Sequence, residues 1–376
     1  SPDTRKEIYE TVAPVVRLEL ILLYFFVTLA NLNYDFFDPA ISCGALMFRD
    51  LLPPAIDPGL PVVSWMATAS LWVTILAEGG LPILLLFKRT RPYAIPIGLL
   101  FHFALGFHPH LGVYSFSALM YMMYFVFTGD GFITTLNTLL SQIVSTVRSP
   151  ENANRVKAAI GVIIGLVALM GLAVLADRVT TFEIPELVEE NLGVAVWFTW
   201  SLVIMALYMI TLWRTPADQR AENTPIFVNR GLLWIMPIII AVNGLFPYFG
   251  YKTEISFAMF SNLRTEEDNT NHLFLPTSLQ FADYQRGLVD ITSTDNEEFQ
   301  YYIDNHMLIT RFEFERMLTE LDDFTVTCDC YGTTLEITRE DGVLSGFDQE
   351  MSYDPMLGRF FRFRAVSKSE QMPCTH

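Results

Sequence analysis

The chain has 376 residues, 52% of them hydrophobic and only 17% charged, and a formal net charge of −17. This composition excludes intrinsic disorder, a collagen-like repeat and a small disulfide scaffold. The acidity argues against a nucleic-acid binder, because phosphate is neutralised by Lys and Arg. What remains is a membrane protein, whose acidity needs a location.

An apolar run of about 18 or more residues can cross the bilayer core as a helix. Such runs occupy residues 14–32, 62–87, 158–176, 194–213 and 231–248. Between the second and third, Pro92 to Thr128 contains no Asp, Glu, Lys or Arg. It is too long for one span, and Gly106, Pro109 and Gly112 offer a turn near its middle. A tight hairpin of two helices there brings the expected total to about seven spans. Gly161 and Gly165 form a small-xxx-small face in the fifth span, which permits close helix packing. Gly131–Val147 reads as an amphipathic helix on the cytoplasmic surface, a connector rather than a ligand site.

Short cytoplasmic loops hold an excess of Lys and Arg. One set of connections carries Arg5, Lys6, Arg17, Lys88, Arg89, Arg91, Arg148, Arg155, Lys157, Arg214, Arg220 and Arg230, the other only Arg49 and Arg178. The amino terminus is therefore expected in the cytoplasm, and the last span delivers residues 250–376 to the opposite side. That remainder holds ten basic and twenty-three acidic residues, a net −13 of the total −17. The expected architecture is a multi-pass α-helical membrane bundle over 1–249, followed by an acidic α+β soluble domain over 250–376 on the non-cytoplasmic side. The setting that fits is the inner membrane of a bacterium, with the domain in the periplasm. Within the domain, Leu288–Thr294, Thr325–Cys330 and Arg359–Val366 read as strands and Glu297–Leu321 as helix. Asp341-Gly342 reads as a hairpin turn.

All four cysteines, Cys43, Cys328, Cys330 and Cys374, fall on the non-cytoplasmic side of this reading, where disulfides are permitted alongside free buried thiols. Cys328 and Cys330 share one face of a strand, so each is expected to pair elsewhere.

Glu78 lies inside the second span, where a carboxylate is costly and by default a functional candidate. It suits proton exchange, or it joins helices through a hydrogen bond. Asn31 and Asn33 end the first span, where paired amides bind a polar head group or cap the helix. His102 is a candidate ligand contact within the uncharged hairpin, whereas His108 and His110 read as turn residues. No acidic residue accompanies them, and no metal site is expected. After the last span, Gly244 to Arg264 stays half apolar while gaining Lys252, Asn262 and Arg264. That pattern suits a lid over the mouth of the bundle, with Arg264 available to an anionic group.

Three stretches resemble the HTTM domain family, whose characterised member is the vitamin K-dependent gamma-carboxylase. They are Leu29–Asp35 with Phe48-Arg49-Asp50, Ile97-Gly98-Leu99 through Tyr114-Ser115-Phe116-Ser117, and Pro247-Tyr248 through Ser256–Met259 to Arg264. The likeness spans roughly residues 14–280, with sparse identity. It implies a carboxy-terminal domain on the lumenal or periplasmic side, and a reaction in which a lysine takes a proton from a reduced quinone before a glutamate is carboxylated. In the family, further spans and some active-site residues precede the part matched here. The family's lysine falls at Asn31, its exit-stretch histidine at Asn262 and an aspartate at Glu78, while its arginine is kept as Arg264. An amide cannot act as a general base, so gamma-carboxylation is not expected. Two functions stay open. One is an enzyme or binder acting on a quinone or other lipid through Glu78, Asn31, His102, Asn262 and Arg264. The other is a non-catalytic accessory subunit whose acidic domain docks partners of a membrane complex.

Overall fold

The computed structural model describes residues 2–52, 56–57, 59–108, 111–149, 186–220, 224–227, 231–330 and 332–375. The chain divides into two compact units that do not follow a boundary at residue 250. One comprises Ser1–Arg17 with Ile83–Phe227, the other Leu18–Pro82 with Val228–His376. The acidic carboxy-terminal segment thus forms one unit with parts of the apolar helices.

The helices are α1 (Pro2–Asn31), α2 (Cys43–Asp50), α3 (Pro61–Leu86), α4 (Arg91–Leu105), α5 (Leu111–Phe125), α6 (Asp130–Arg148), α7 (Glu186–Arg214) and α8 (Ile235–Phe249). Among the described residues, four stretches are long and apolar enough to cross a membrane: Lys6–Asn31, Pro61–Leu86, Val196–Arg214 and Gly231–Phe249. A fifth would need Val113–Phe125 and Asp130–Arg148 to act as one span, although they bend by 112°. The expected hairpin forms as α4 and α5, but each has 15 residues. At 1.5 Å per residue that is about 22 Å, short of a core of about 30 Å. The span expected at 158–176, with Gly161 and Gly165, lies outside the described residues, as do His110, Arg155, Lys157, Arg178 and Arg230.

In the first unit, α4 and α5 approach closely because Gly98 carries no side chain. A Cβ there would lie 2.3 Å from the Tyr124 ring. Tyr121 donates to the Leu99 carbonyl at 2.9 Å, and Trp197 of α7 donates to the Phe103 carbonyl at 3.1 Å. The buried arginines Arg17, midway along α1, and Arg91, at the start of α4, are not loose charges. Arg17 donates to the carbonyls of Val126 (2.7 Å) and Pro225 (2.8 Å). Arg91 donates to Leu85 (2.7 Å) and to both the carbonyl and hydroxyl of Thr224 (2.6 Å each).

The second unit contains an antiparallel sheet of β1 (Leu288–Thr294), β2 (Met307–Thr310), β3 (Phe324–Cys330), β4 (Thr333–Glu340), β5 (Val343–Ser345) and β6 (Val366–Ser367), in the order β5-β4-β3-β1-β2-β6. Alternation along β1 and β3 turns Val289, Ile291, Val326 and Cys328 toward α9 (Glu297–Asp304) and α10 (Arg311–Glu320), which supply Phe299, Phe314, Met317 and Leu318 to the core. Asp341 (φ 49°) and Gly342 (φ 77°) form the two-residue turn between β4 and β5, as their Asp-Gly pairing predicts.

Two strand and helix readings need correction. The stretch Glu297–Leu321 is not one helix, because β2 interrupts it after a turn at His306 (φ 54°) and pairs with β1 and β6. A turn this short leaves the apolar spacing looking continuous. Arg359–Val366 is not a full strand either; only Val366 and Ser367 pair, while the Arg362 carbonyl accepts the amides of Thr253 and Glu254.

The cysteines are bridged as Cys43–Cys374 and Cys328–Cys330. The expectation that Cys328 and Cys330 pair elsewhere is corrected. Their common face brings the Cα atoms to 5.6 Å, within disulfide range. Cys43–Cys374 joins the start of α2 to the carboxy-terminal tail across 331 positions of sequence.

Candidate functional site

The second unit brings Asn31 and Glu78 together. Asn31 is the last residue of α1, and α3 passes it with Glu78 one residue ahead of Gly79, which lies against Thr28. The Asn31 amide donates to a Glu78 carboxyl oxygen at 2.7 Å. Asn31 is 2% exposed, yet its own Oδ1 has no hydrogen-bond partner, nor does the nearby Thr28 hydroxyl. A Cβ on Gly80 would meet nothing within 4 Å, so the α3 backbone is open there. The result is a half-buried carboxyl bordered by unused polar atoms, in a setting where buried polar groups are normally paired.

The remaining expected residues have other surroundings. Asn262, held at φ 55°, accepts the Cys43 amide through Oδ1 (2.8 Å) and donates to the carbonyls of Ile41 and Met372 (2.9 Å each). Both of its amide hydrogens are therefore committed to pinning the Cys43–Cys374 bridge, and none is left for a ligand. Arg264 donates through Nη1 to the carbonyls of Ser369 (2.5 Å) and Glu370 (3.1 Å), while its buried Nε has no partner. His102 belongs to the first unit, where it is 1% exposed, faces the Ser117 hydroxyl at 3.4 Å and is ringed by Phe101, Phe116 and Tyr124. It is an interior contact of the α4–α5 hairpin.

Asn33, Asn271 and His272 complete the surroundings of Asn262. Asn33 donates to the carbonyls of Ala30 (2.8 Å) and Ser261 (2.5 Å) and accepts the Phe36 amide at 2.8 Å. Asn271 donates to Asp35 (2.6 Å) and to the Asn262 carbonyl (2.8 Å). His272 places Nε2 2.9 Å from the Leu29 carbonyl, while Nδ1 accepts the amides of Phe274 and Leu275 at 3.0 Å each. That pattern assigns the proton to Nε2. Burial lowers the His272 pKa below the ordinary histidine value, opposed in part by the bond to Leu29.

Sequence reasoning missed a second group of unpaired polar atoms in the same unit. Arg364 is 6% exposed, and its Nε lies 3.7 Å from Glu266 Oε1, too far for a hydrogen bond. Arg364 Nε and Nη2, Glu266 Oε1, Gln285 Oε1, Thr265 Oγ1 and Tyr248 Oη are all buried without a hydrogen-bond partner, Arg364 and Glu266 facing each other only as an ion pair. The only sequence signal was the alternation of Arg362 and Arg364 with Phe361 and Phe363, which the strand reading absorbed. Compared with known proteins, the chain matches no family model, no curated protein and no solved structure.

Proposed function

We propose that the chain is an HTTM-like integral membrane protein that binds the polar end of a quinone or other membrane lipid at Asn31 and Glu78. The observation that supports this reading is the pair itself: a 2.7 Å amide–carboxyl contact with the Asn31 carbonyl oxygen and Thr28 hydroxyl left unpaired beside it. A ligand hydroxyl would donate to Asn31 Oδ1, and Glu78 would hold or release the proton. In this reading the chain has about seven spans, a cytoplasmic amino terminus and its acidic domain in the periplasm of a bacterial inner membrane. The reaction is not gamma-carboxylation, because the position that would carry the base is the amide of Asn31.

A second reading, an accessory subunit without catalysis, is favoured by Asn262 and Arg264, which bond to main-chain atoms of the tail and of α2. Quantitative mass spectrometry of lipids and quinones in the purified protein separates the two. Stoichiometric ligand in the parent chain, reduced at least tenfold by Glu78→Gln with the protein still folded, is the expected result. Clean co-purification with other subunits, and lipid content unchanged by Glu78→Gln, would overturn the ligand site and leave the subunit reading.

A further inference from the structure

The segment that follows α8 does not lead directly away from the helices. Gly250 (φ 84°) ends α8, and the chain then turns back along it. The Asn243 side chain, six residues before the end of α8, donates to the Ile255 carbonyl at 2.8 Å. Phe257 stacks on Phe26, with ring centroids 6.3 Å apart, five residues before the end of α1. At 1.5 Å per residue these contacts place 255–257 roughly 7–9 Å back from both helix ends. The chain then returns, and the Ser261 carbonyl meets Asn33 just beyond α1.

The third helix of this unit extends past the same region. Gly79 of α3 lies beside Thr28 of α1, whereas Leu71 and Ser70 meet Gly44 of α2, and Trp72 lies against Phe37. Between Glu78 and Leu71 the helix advances about 10 Å, and it continues toward Pro61 with Val62, Trp65, Met66, Trp72, Val73 and Leu76 exposed. An apolar face of that length belongs against lipid. The irregular chain around residues 33–42 and 253–262 therefore lies at the level of an apolar helix.

Irregular backbone is tolerated at membrane depth only where protein or a water-filled cavity satisfies its polar groups. Asn33 and Asn243 supply such partners to the Ser261 and Ile255 carbonyls, and Asn262 to the Ile41 carbonyl and the Cys43 amide. The backbone is held in unusual conformations, with Ile255 (φ 56°), Phe257 (φ 64°), Phe260 (φ 59°) and Asn262 (φ 55°) all left-handed. A positive φ is a marked outlier for a β-branched residue such as Ile255. Ile255 and Met259 nonetheless leave 66% and 56% of their surface exposed. Their neighbours along the excursion, Phe257 and Phe260, pack inward on Phe26 and on the Phe36–Cys43–Leu71 cluster.

We propose that residues 253–262 form a re-entrant segment within the bilayer, and that acyl chains of the surrounding lipid cover Ile255 and Met259. Helices α1 and α8 then stop short of the membrane face, and the amide-rich turn at their ends is held in place beneath that face by α3. This proposal requires a bilayer but no quinone, so loss of the Glu78 ligand site leaves it standing.

The test uses the full chain in proteoliposomes. Ile255→Cys and Met259→Cys are labelled with a nitroxide, and collision rates with oxygen and with an aqueous nickel chelate are compared. Val73→Cys on α3 and Met356→Cys in the sheet region serve as references, both parent residues being exposed. The expected result is that positions 255 and 259 follow position 73, with oxygen access several-fold above that of nickel. Positions 255 and 259 behaving like 356 would overturn it. Because an added thiol can exchange with the native disulfides, a benzophenone amino acid at position 259 gives an independent measurement. Adducts to acyl chains support the proposal, and adducts confined to protein or water overturn it.

Discussion

The two compact units both bury polar side chains among apolar helices, yet they satisfy them differently. In the first, Arg17 and Arg91 are 1% and 2% exposed, and their guanidinium groups are filled by main-chain carbonyls at the ends of neighbouring helices and loops. In the second, Asn33, Asn262 and Asn271 form a closed set, while Asn31, Thr28, Arg364, Glu266 and Gln285 retain buried atoms that make no hydrogen bond. Saturated polar groups clamp; unsaturated ones are free to meet something else, which is why the second unit holds the candidate site. The contrast also shows that charge at a helix end can be structural even where its sequence pattern reads as orientation.

The largest effect is expected from breaking the saturated side of this contrast. Arg91→Met removes the hydrogen bonds to the Leu85 carbonyl and to the carbonyl and hydroxyl of Thr224. Each such loss is worth about 1–3 kcal/mol, so a combined cost of about 4 kcal/mol is expected, read as a fall in the thermal midpoint in detergent. Arg91→Lys, with a compact ammonium in place of the planar fork, should recover only part of it. A variant as stable as the parent would make the clamp irrelevant and erase the difference between the units.

Within the second unit, Asn262 and Asn31 sharpen the comparison. Asn262→Ala removes three hydrogen bonds around Cys43, Ile41 and Met372 and should cost about 3 kcal/mol. Asn31→Ala removes the single bond to Glu78 and should cost about 1 kcal/mol. Urea unfolding with the Cys43–Cys374 bridge intact measures both. Equal costs would place Asn31 among the structural amides and weaken its case as a ligand contact.

The sequence made the apolar helices legible because hydropathy acts over a whole run, as at Pro61–Leu86. It also exposed Glu78, since a carboxyl in such a run is conspicuous. Strand β1 and the Asp341-Gly342 turn were legible from alternation and local backbone preference. What stayed hidden depends on long-range contacts with no local signature. Asn262 carries the same letter whether it meets a ligand or Cys43, 219 residues away. The carboxy-terminal strand was overextended because alternation reports which face a residue presents, not whether a neighbouring strand exists to pair with Phe360–Ala365. Arg364 was overlooked for the same reason: its partner Glu266 lies in another part of the chain.

The smallest effect tests whether the amide-rich turn stays closed as pH falls. His272 is neutral in the described hydrogen-bond pattern, with Nδ1 accepting two main-chain amides. Protonation would fill that acceptor, and burial accordingly lowers the folded-state pKa. The unfolded histidine, at about 6.5, therefore takes up a proton first. Stability from this residue is complete above the unfolded pKa, declines as pH falls below it, and levels off once the folded form is also protonated. Thermal unfolding at pH 7.5 and pH 5.5 should show a loss of about 1 kcal/mol, on the scale of one hydrogen bond. His272→Gln should be less stable at pH 7.5 yet lack that part of the slope. A parent and variant with identical slopes would mean that the turn accommodates the charged ring, and that its polar atoms are less firmly committed than those of the arginine clamps.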